Sequence, residues 1–388
     1  MPNPLAAHYS RFRVGERILL TGHSHQAWPD VAFEAQQRAW LDAAELVDDK
    51  WDRAFERATR VRAGFAHLLG DDAENIALGQ NTHELVTRWL SALPCKTRRR
   101  IVTTTGEFHT IRRQLDRLAE EGVDIVKAPA RPVGQLAARV ADEVDDRTLA
   151  VMVSSVLFET AEIVPDLNRI AAACDAHGAP LLVDAYHHLN VLPFDVREMG
   201  LERAFVTGGG YKYCQLGEGN CFLRVPSGTR LRPVLTGWFA EFEALDADNR
   251  QPFAVSYATG AAAFAGATYD PTSHYRAAAV FDFHRAQRLT PDRLRAISVH
   301  QVGLLDDAIA ALDLDPSKVR VVKIAPDRRA GFLAVRSPHA MRLVRALRQQ
   351  AVFADSRGDI LRLGPAPYVS DDQLHAAVAK LSRVVTAL

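Results

Sequence analysis

Pro180-Leu181-Leu182-Val183-Asp184-Ala185-Tyr186-His187 and Ala204-Phe205-Val206-Thr207-Gly208-Gly209-Gly210-Tyr211-Lys212-Tyr213 are the stretches whose reading decides the fold. Each is a short apolar run that stops abruptly, the first at an acid and the second at three glycines. Runs of the same texture lie on either side: Ile101-Val102-Thr103-Thr104-Thr105, Leu149-Ala150-Val151-Met152-Val153 and Cys221-Phe222-Leu223-Arg224-Val225. Between them, residues 110–121, 135–143 and 166–177 carry helical periodicity. Apolar strands separated by helices predict an α/β fold with a largely parallel sheet covered on both faces. Such sheets bind ligands at the carboxyl ends of their strands, so the chemistry should lie just after these runs.

An acid at the end of a buried strand can face a ligand while its backbone stays in the sheet. A lysine held in a glycine-rich turn can form an imine with a carbonyl cofactor, and burial lowers its pKa toward the nucleophilic range. Pyridoxal phosphate needs both. A carboxylate beside the pyridine nitrogen keeps that nitrogen protonated, which makes the ring an electron sink. Asp184 and Lys212 fit these two roles. The plainer alternatives are a helix N-cap for Asp184 and an ordinary loop lysine for Lys212. The loop is not a nucleotide-phosphate loop, because GxxxxGK[ST] is absent.

The chain has 388 residues, enough for two domains, with 47 basic and 47 acidic side chains and a formal net charge of +0. No overall basic field exists to hold a nucleic-acid backbone, and Lys96-Thr97-Arg98-Arg99-Arg100 reads as a solvated loop. The four cysteines show no metal-ligand spacing and are too few for a disulfide scaffold, so no metal and a reducing compartment are expected. Residues 1–13 lack a signal-peptide core, and no apolar run approaches the roughly 20 residues that span a bilayer. A cytoplasmic protein without membrane or nucleic-acid partners is the expectation. Residues 29–69 have a helical pattern stopped by Gly70. A looser region, 226–275, precedes a helical stretch at 275–312. A small αβ region follows, with strands near 319–324, 331–335 and 360–363 and helices near 339–349 and 370–385. The expected division is an N-terminal segment, 1–50, packing with the small domain, a large cofactor-binding domain, 51–260, and a small C-terminal domain, 261–388.

Asp184-Ala185-Tyr186-His187, then Gly208-Gly209-Gly210-Tyr211-Lys212-Tyr213 and Gly217-Glu218-Gly219, resembles the class V aminotransferase group of fold type I enzymes. Within it the chain is most similar to kynureninases, and the likeness continues at Thr236-Gly237-Trp238-Phe239 and Leu361-Arg362-Leu363-Gly364-Pro365-Ala366-Pro367-Tyr368. Weaker matches are Gly22-His23-Ser24, Asn81-Thr82 and Glu107-Phe108-His109-Thr110. The resemblance implies a pyridoxal 5′-phosphate cofactor, a homodimer with shared active sites and a small amino-acid substrate. It gives Lys212 the Schiff base and Cα proton transfer, Asp184 the pyridine nitrogen, and Phe108 the stacking face. His187 and Tyr211 are implied to touch the phosphate, with Tyr211 also a proton donor. Thr82 and His83 supply phosphate donors at a helix N-terminus, and Trp238 and Thr259 reach the phosphate of a neighbouring subunit. Arg362 clamps the substrate α-carboxylate.

The departures fall on substrate-facing positions. Glu84 stands where the family carries a threonine, and an acid aimed at a phosphate is repulsive, so it should turn away or the loop differ. Ile111 replaces an aspartate, and Tyr257 cannot copy a side-chain amide that reads an aryl group. His23, with His25, is atypical and could serve acid–base chemistry beside the substrate. Three functions remain open: kynureninase-like hydrolytic Cβ–Cγ cleavage; another reaction on the same scaffold, such as transamination, desulfuration, epimerisation or lysis of a specialised amino acid; and a non-catalytic binding protein.

Overall fold

The structure is a computed structural model that describes residues 3–244 and 254–388, so part of the looser region, 245–253, lies outside the described residues. Strand β1 (Ile18–Leu19) precedes two long helices, α1 (Val31–Leu46) and α2 (Lys50–Leu69). Strands and helices then alternate: β2 (Ile76–Gly79), α3 (Thr82–Ser91), β3 (Arg100–Thr104), α4 (His109–Glu120), β4 (Asp124–Ala128), α5 (Leu136–Asp142), β5 (Thr148–Ser154), α6 (Leu167–His177) and β6 (Leu181–Asp184). Strands β7 (Phe205–Gly209) and β8 (Cys221–Arg224) close this part. The rest comprises α7 (Thr272–Ala286), α8 (Pro291–Ala310), β9 (Arg320–Val321), β10 (Leu333–Arg336), α9 (Ala340–Gln349), β11 (Val352–Phe353), β12 (Asp355–Arg357), β13 (Ile360–Leu363) and α10 (Asp371–Thr386).

The large sheet has the order β2-β8-β7-β6-β5-β3-β4. Strand β8 runs against both neighbours and all other pairs are parallel, which is the expected largely parallel α/β sheet. Successive side chains of β6 enter opposite cores: Val183 packs with Val151, Val153 and Val206, and Leu182 packs with Met152 and Phe205. Both faces are covered, which is why these strands read as unbroken apolar runs. Each such Val or Leu contributes about 1.5–3 kcal/mol on burial. Strands β2 and β4 escape the sequence reading. Strand β4 is a half-exposed edge with Asp124 and Lys127 facing out, so its burial pattern is weak.

The helical stretch 29–69 is two helices, because Val47 adopts φ 53 and its N–H turns back to Ala43 O. No glycine or proline marks that break. Gly70 ends α2 with φ +62, as its position predicts. The stretch 275–312 also divides: the Thr290 side chain accepts from Arg293 N–H and Pro291 opens α8.

A second sheet, β12-β13-β10-β9, is antiparallel, and its inner residues Leu333, Val335, Leu361 and Leu363 pack with Leu343, Leu374 and Leu381. Leu5, Tyr9 and Val14 belong to this same core, and β1 pairs in parallel with β11. Helix α7 joins the two cores, with Phe281 in the first and Phe283 in the second. Among the described residues no helix is long and apolar enough to cross a membrane.

Candidate active site

Strands β3 and β5 are neighbours, and the chain leaves β3 toward β4 but β5 toward β6 on the opposite side, which opens a crevice at their carboxyl ends. The carboxyl ends of β2, β3, β5, β6 and β7 share that edge with the start of β8, which runs the other way. The sequence motifs therefore converge without any being adjacent in the chain.

Asp184 is the last residue of β6, paired in register with Ser154 and Thr207. It is buried, and its Oδ1 accepts from Tyr186 N–H at 2.8 Å. Burial raises its pKa, while that N–H and the Lys212 charge pull the other way. Lys212 follows β7 and is 4% exposed. Its Nζ lies 2.6 Å from His187 Nε2, 4.8 Å from the Tyr186 ring centre and 5.1 Å from the Phe108 ring centre. Burial lowers the Lys212 pKa to about 7, against the opposing pull of Asp184. Burial, then Lys212 and Arg362, also hold His187 well below its usual range, so it is neutral and Nε2 can accept a hydrogen bond from the lysine.

The three glycines before Lys212 act by close approach, since none of them has a positive φ. A Cβ on Gly209 would collide with the Tyr186 hydroxyl and Cys221 Sγ. Gly219, at φ +85, does need the left-handed conformation.

A cavity of about 290 Å³ is lined by Thr82, His83, Phe108, Asp184, His187, Tyr211 and Lys212. That volume lies at the lower end of the roughly 300–1,000 Å³ usual for small-molecule sites. Thr82 and His83 open α3, whose first turn is capped by the Asn81 side chain at Glu84 N–H and whose N-terminus lines the cavity, where an anion is favoured. Glu84 does turn away: it pairs with Arg88 and accepts from Gln80 N–H. Tyr211 stacks on His25, ring centres 4.7 Å apart, and burial pushes its pKa up to about 12. A carboxylate, an amine and a helix N-terminus around one cavity suit the pyridine nitrogen, carbonyl and phosphate of pyridoxal phosphate. The donor set fits this group.

The remaining expected residues lie outside that cavity. Arg362, on β13, is 2% exposed and belongs to the second sheet. Asp355 grips its Nε and one terminal nitrogen, and the other terminal nitrogen donates to Phe158 O at 2.7 Å. His23 is fully buried against Phe332, with Nε2 2.7 Å from Asp355 Oδ1. Its pKa falls to about 4 through burial and the Arg362 charge. Tyr257 donates its hydroxyl to Pro233 O at 2.6 Å, under the Arg232 guanidinium. Trp238 is exposed, and Thr259 lines a separate groove with Phe55 and Tyr269.

Sequence reasoning missed two neighbours. Tyr186 lies inside a quoted motif, yet that its ring faces Lys212 depends on the turn after β6. Asp355 sits in no motif, and only its hairpin with β13 reveals it.

A family model described as aminotransferase class-V matches residues 45–236, and one described as the kynureninase C-terminal domain matches residues 294–381. A kynureninase of Deinococcus radiodurans is 27% identical over 100% of this chain and 94% of its own length. An uncharacterized aminotransferase of Bacillus subtilis is 23% identical over 88% of each chain. The apo structure of a cysteine desulfurase from Thermococcus onnurineus superposes with a TM-score of 0.84 at 17% identity, covering 100% of this chain and 99% of that one. At such identity the likeness speaks for the fold, whereas the first family match spans the residues that line the cavity and the second spans the strand that carries Arg362. The protein belongs to the class V aminotransferase superfamily, and its cofactor is pyridoxal 5′-phosphate.

Proposed function

We propose that the protein acts on an α-amino acid by kynureninase-like hydrolytic Cβ–Cγ cleavage, taking kynurenine or a related aryl or acyl amino acid to alanine and an acid. The observation that carries this reading is the buried Lys212 amine, 2.6 Å from His187 and within electrostatic reach of Asp184. The cofactor, when bound, supplies a carbonyl for the lysine and a ring that stores the electrons released at Cα.

The chain's own residues do the rest. Lys212, with a pKa near 7, takes the Cα proton and returns it. His187 accepts a hydrogen bond from the Lys212 amine at Nε2 and so orients it, and Asp184 offers its carboxylate to the pyridine nitrogen. Tyr211 stays protonated at neutral pH, which suits a proton donor. Phe108 supplies the stacking face, and Thr82 and His83 hold the phosphate. Arg362 takes the substrate carboxylate, with His23 behind it and Tyr257 on the substrate side. Trp238 and Thr259 serve the neighbouring subunit of a homodimer. The exposed apolar group Val234, Leu235, Trp238 and Phe242 supports that assembly.

A second reading, a different reaction such as transamination or desulfuration, is favoured by the orientation of Tyr257. Its hydroxyl is spent on Pro233 O, leaving no amide-like group for an aryl ketone. Incubating the cofactor-loaded protein with kynurenine separates the two. Hydrolysis predicts anthranilate and alanine in equal amounts. No anthranilate, with the cofactor absorbance intact, would reject plain kynureninase activity and favour the second reading.

A further inference from the structure

The guanidinium assigned to the substrate carboxylate already holds a carboxylate. Asp355 Oδ1 accepts from Arg362 Nε at 2.9 Å and Oδ2 from a terminal nitrogen at 2.5 Å, a side-on fork of the kind an amino acid would use. With Phe158 O on the remaining nitrogen, all three nitrogens of a 2%-exposed arginine are engaged. Asp355 also has somewhere to go. His23 Nε2 lies 2.7 Å from Oδ1, and the Arg357 guanidinium lies 3.8 Å from Oδ2. His23 is neutral at physiological pH, so it donates a hydrogen bond through Nε2–H, and Nδ1 has no partner. Asp355 belongs to β12, an edge strand that among the described residues pairs only with β13 and is joined to it through Gly358 at φ +55. An edge strand with a tight glycine turn can shift more readily than the central strand that carries Arg362.

We infer that Asp355 is an internal stand-in for the substrate carboxylate: it occupies the Arg362 fork and is displaced onto His23 and Arg357 when an amino acid binds. This rests on the amino-acid reading above and deepens it. The displacement makes Asp355 a specificity residue. Asp355 already neutralises Arg362, so an amine without a carboxylate gains nothing from that arginine. A substrate with a carboxylate must outcompete Asp355, and Arg357 balances the charge it adds. Breaking the buried pair without such a replacement would leave Arg362 charged and unpaired, which is unfavourable.

The test titrates the cofactor-loaded, full-length protein with L-alanine and with ethylamine, following the visible spectrum. Asp355→Asn, whose amide accepts from only one guanidinium nitrogen, should bind L-alanine about tenfold more tightly than the unaltered protein, the scale of one charge-assisted hydrogen bond. Ethylamine binding should not change. Arg357→Ala, at a half-exposed position that tolerates truncation, should weaken L-alanine binding severalfold. Melting temperatures give a readout apart from turnover: Asp355→Asn should melt lower when empty and gain more from L-alanine than the unaltered protein does. Unchanged or weaker L-alanine binding in Asp355→Asn, with the unaltered protein still responding, overturns the stand-in and makes Asp355 a positioning residue for Arg362. No spectral response by the unaltered protein to any α-amino acid overturns the amino-acid reading, and the stand-in with it.

Discussion

The two walls of the proposed site, one assigned to the cofactor and one to the substrate, are built differently. The cofactor wall stands on the carboxyl ends of buried, hydrogen-bonded strands covered on both faces, with Asp184 the last residue of β6 and Lys212 three residues beyond β7. The substrate wall stands on a small antiparallel sheet, where Arg362 is central but Asp355 lies on an edge and His23 arrives from a distant N-terminal loop. On the cofactor wall, charged groups are pushed from their usual pKa values by burial and are poised to exchange protons. On the substrate wall, a carboxylate and a guanidinium satisfy each other. The first arrangement is built to react and the second to recognise, so substitutions on the two walls should differ in kind.

Lys212→Ala should have the largest effect, lowering turnover of any amino acid by on the order of 10³-fold or more, measured as kcat. Asp184→Asn comes next. Removing its charge should lower kcat by roughly 10²-fold, about 2–3 kcal/mol in the barrier, with little change in KM. Arg362→Lys should do the reverse, raising KM about tenfold and sparing both kcat and the cofactor spectrum, because an ammonium cannot reproduce the fork. A drop in kcat with unchanged KM in that variant would erase the contrast between the walls. The smallest effect concerns pH. Only the neutral amine attacks a carbonyl, so cofactor capture by the apoprotein rises with pH until Lys212 is deprotonated. With a pKa near 7, capture should rise only about twofold from pH 7 to 9, where a lysine of ordinary pKa about 10.4 would give close to a hundredfold. Stopped-flow absorbance at the two pH values decides between them.

The same contrast governs what the sequence discloses. Asp184 with His187, and Tyr211 with Lys212, are each held in a few consecutive residues, because a strand end and the turn after it are local structures. Their convergence follows from parallel topology, which the alternation of strands and helices predicts. The substrate wall is assembled from positions 23, 355 and 362, and no local pattern joins them. Arg362 is legible through its resemblance, but its partner is not, since an aspartate in a short hairpin has no periodicity to betray it. The direction of Glu84 was legible from electrostatics alone: an acid at a phosphate-binding turn is repelled, and Arg88, one turn along the helix, takes it. The break at Val47 was not, because nothing in its residue type anticipates a positive φ.

The central claim is that Lys212 carries the cofactor. Reducing the purified, cofactor-loaded protein with borohydride and mapping the labelled peptide tests it most directly. The account predicts one pyridoxyl label per chain, on Lys212, with loss of the visible absorbance band. A label on another lysine, or a label of equal yield in Lys212→Ala, would contradict it.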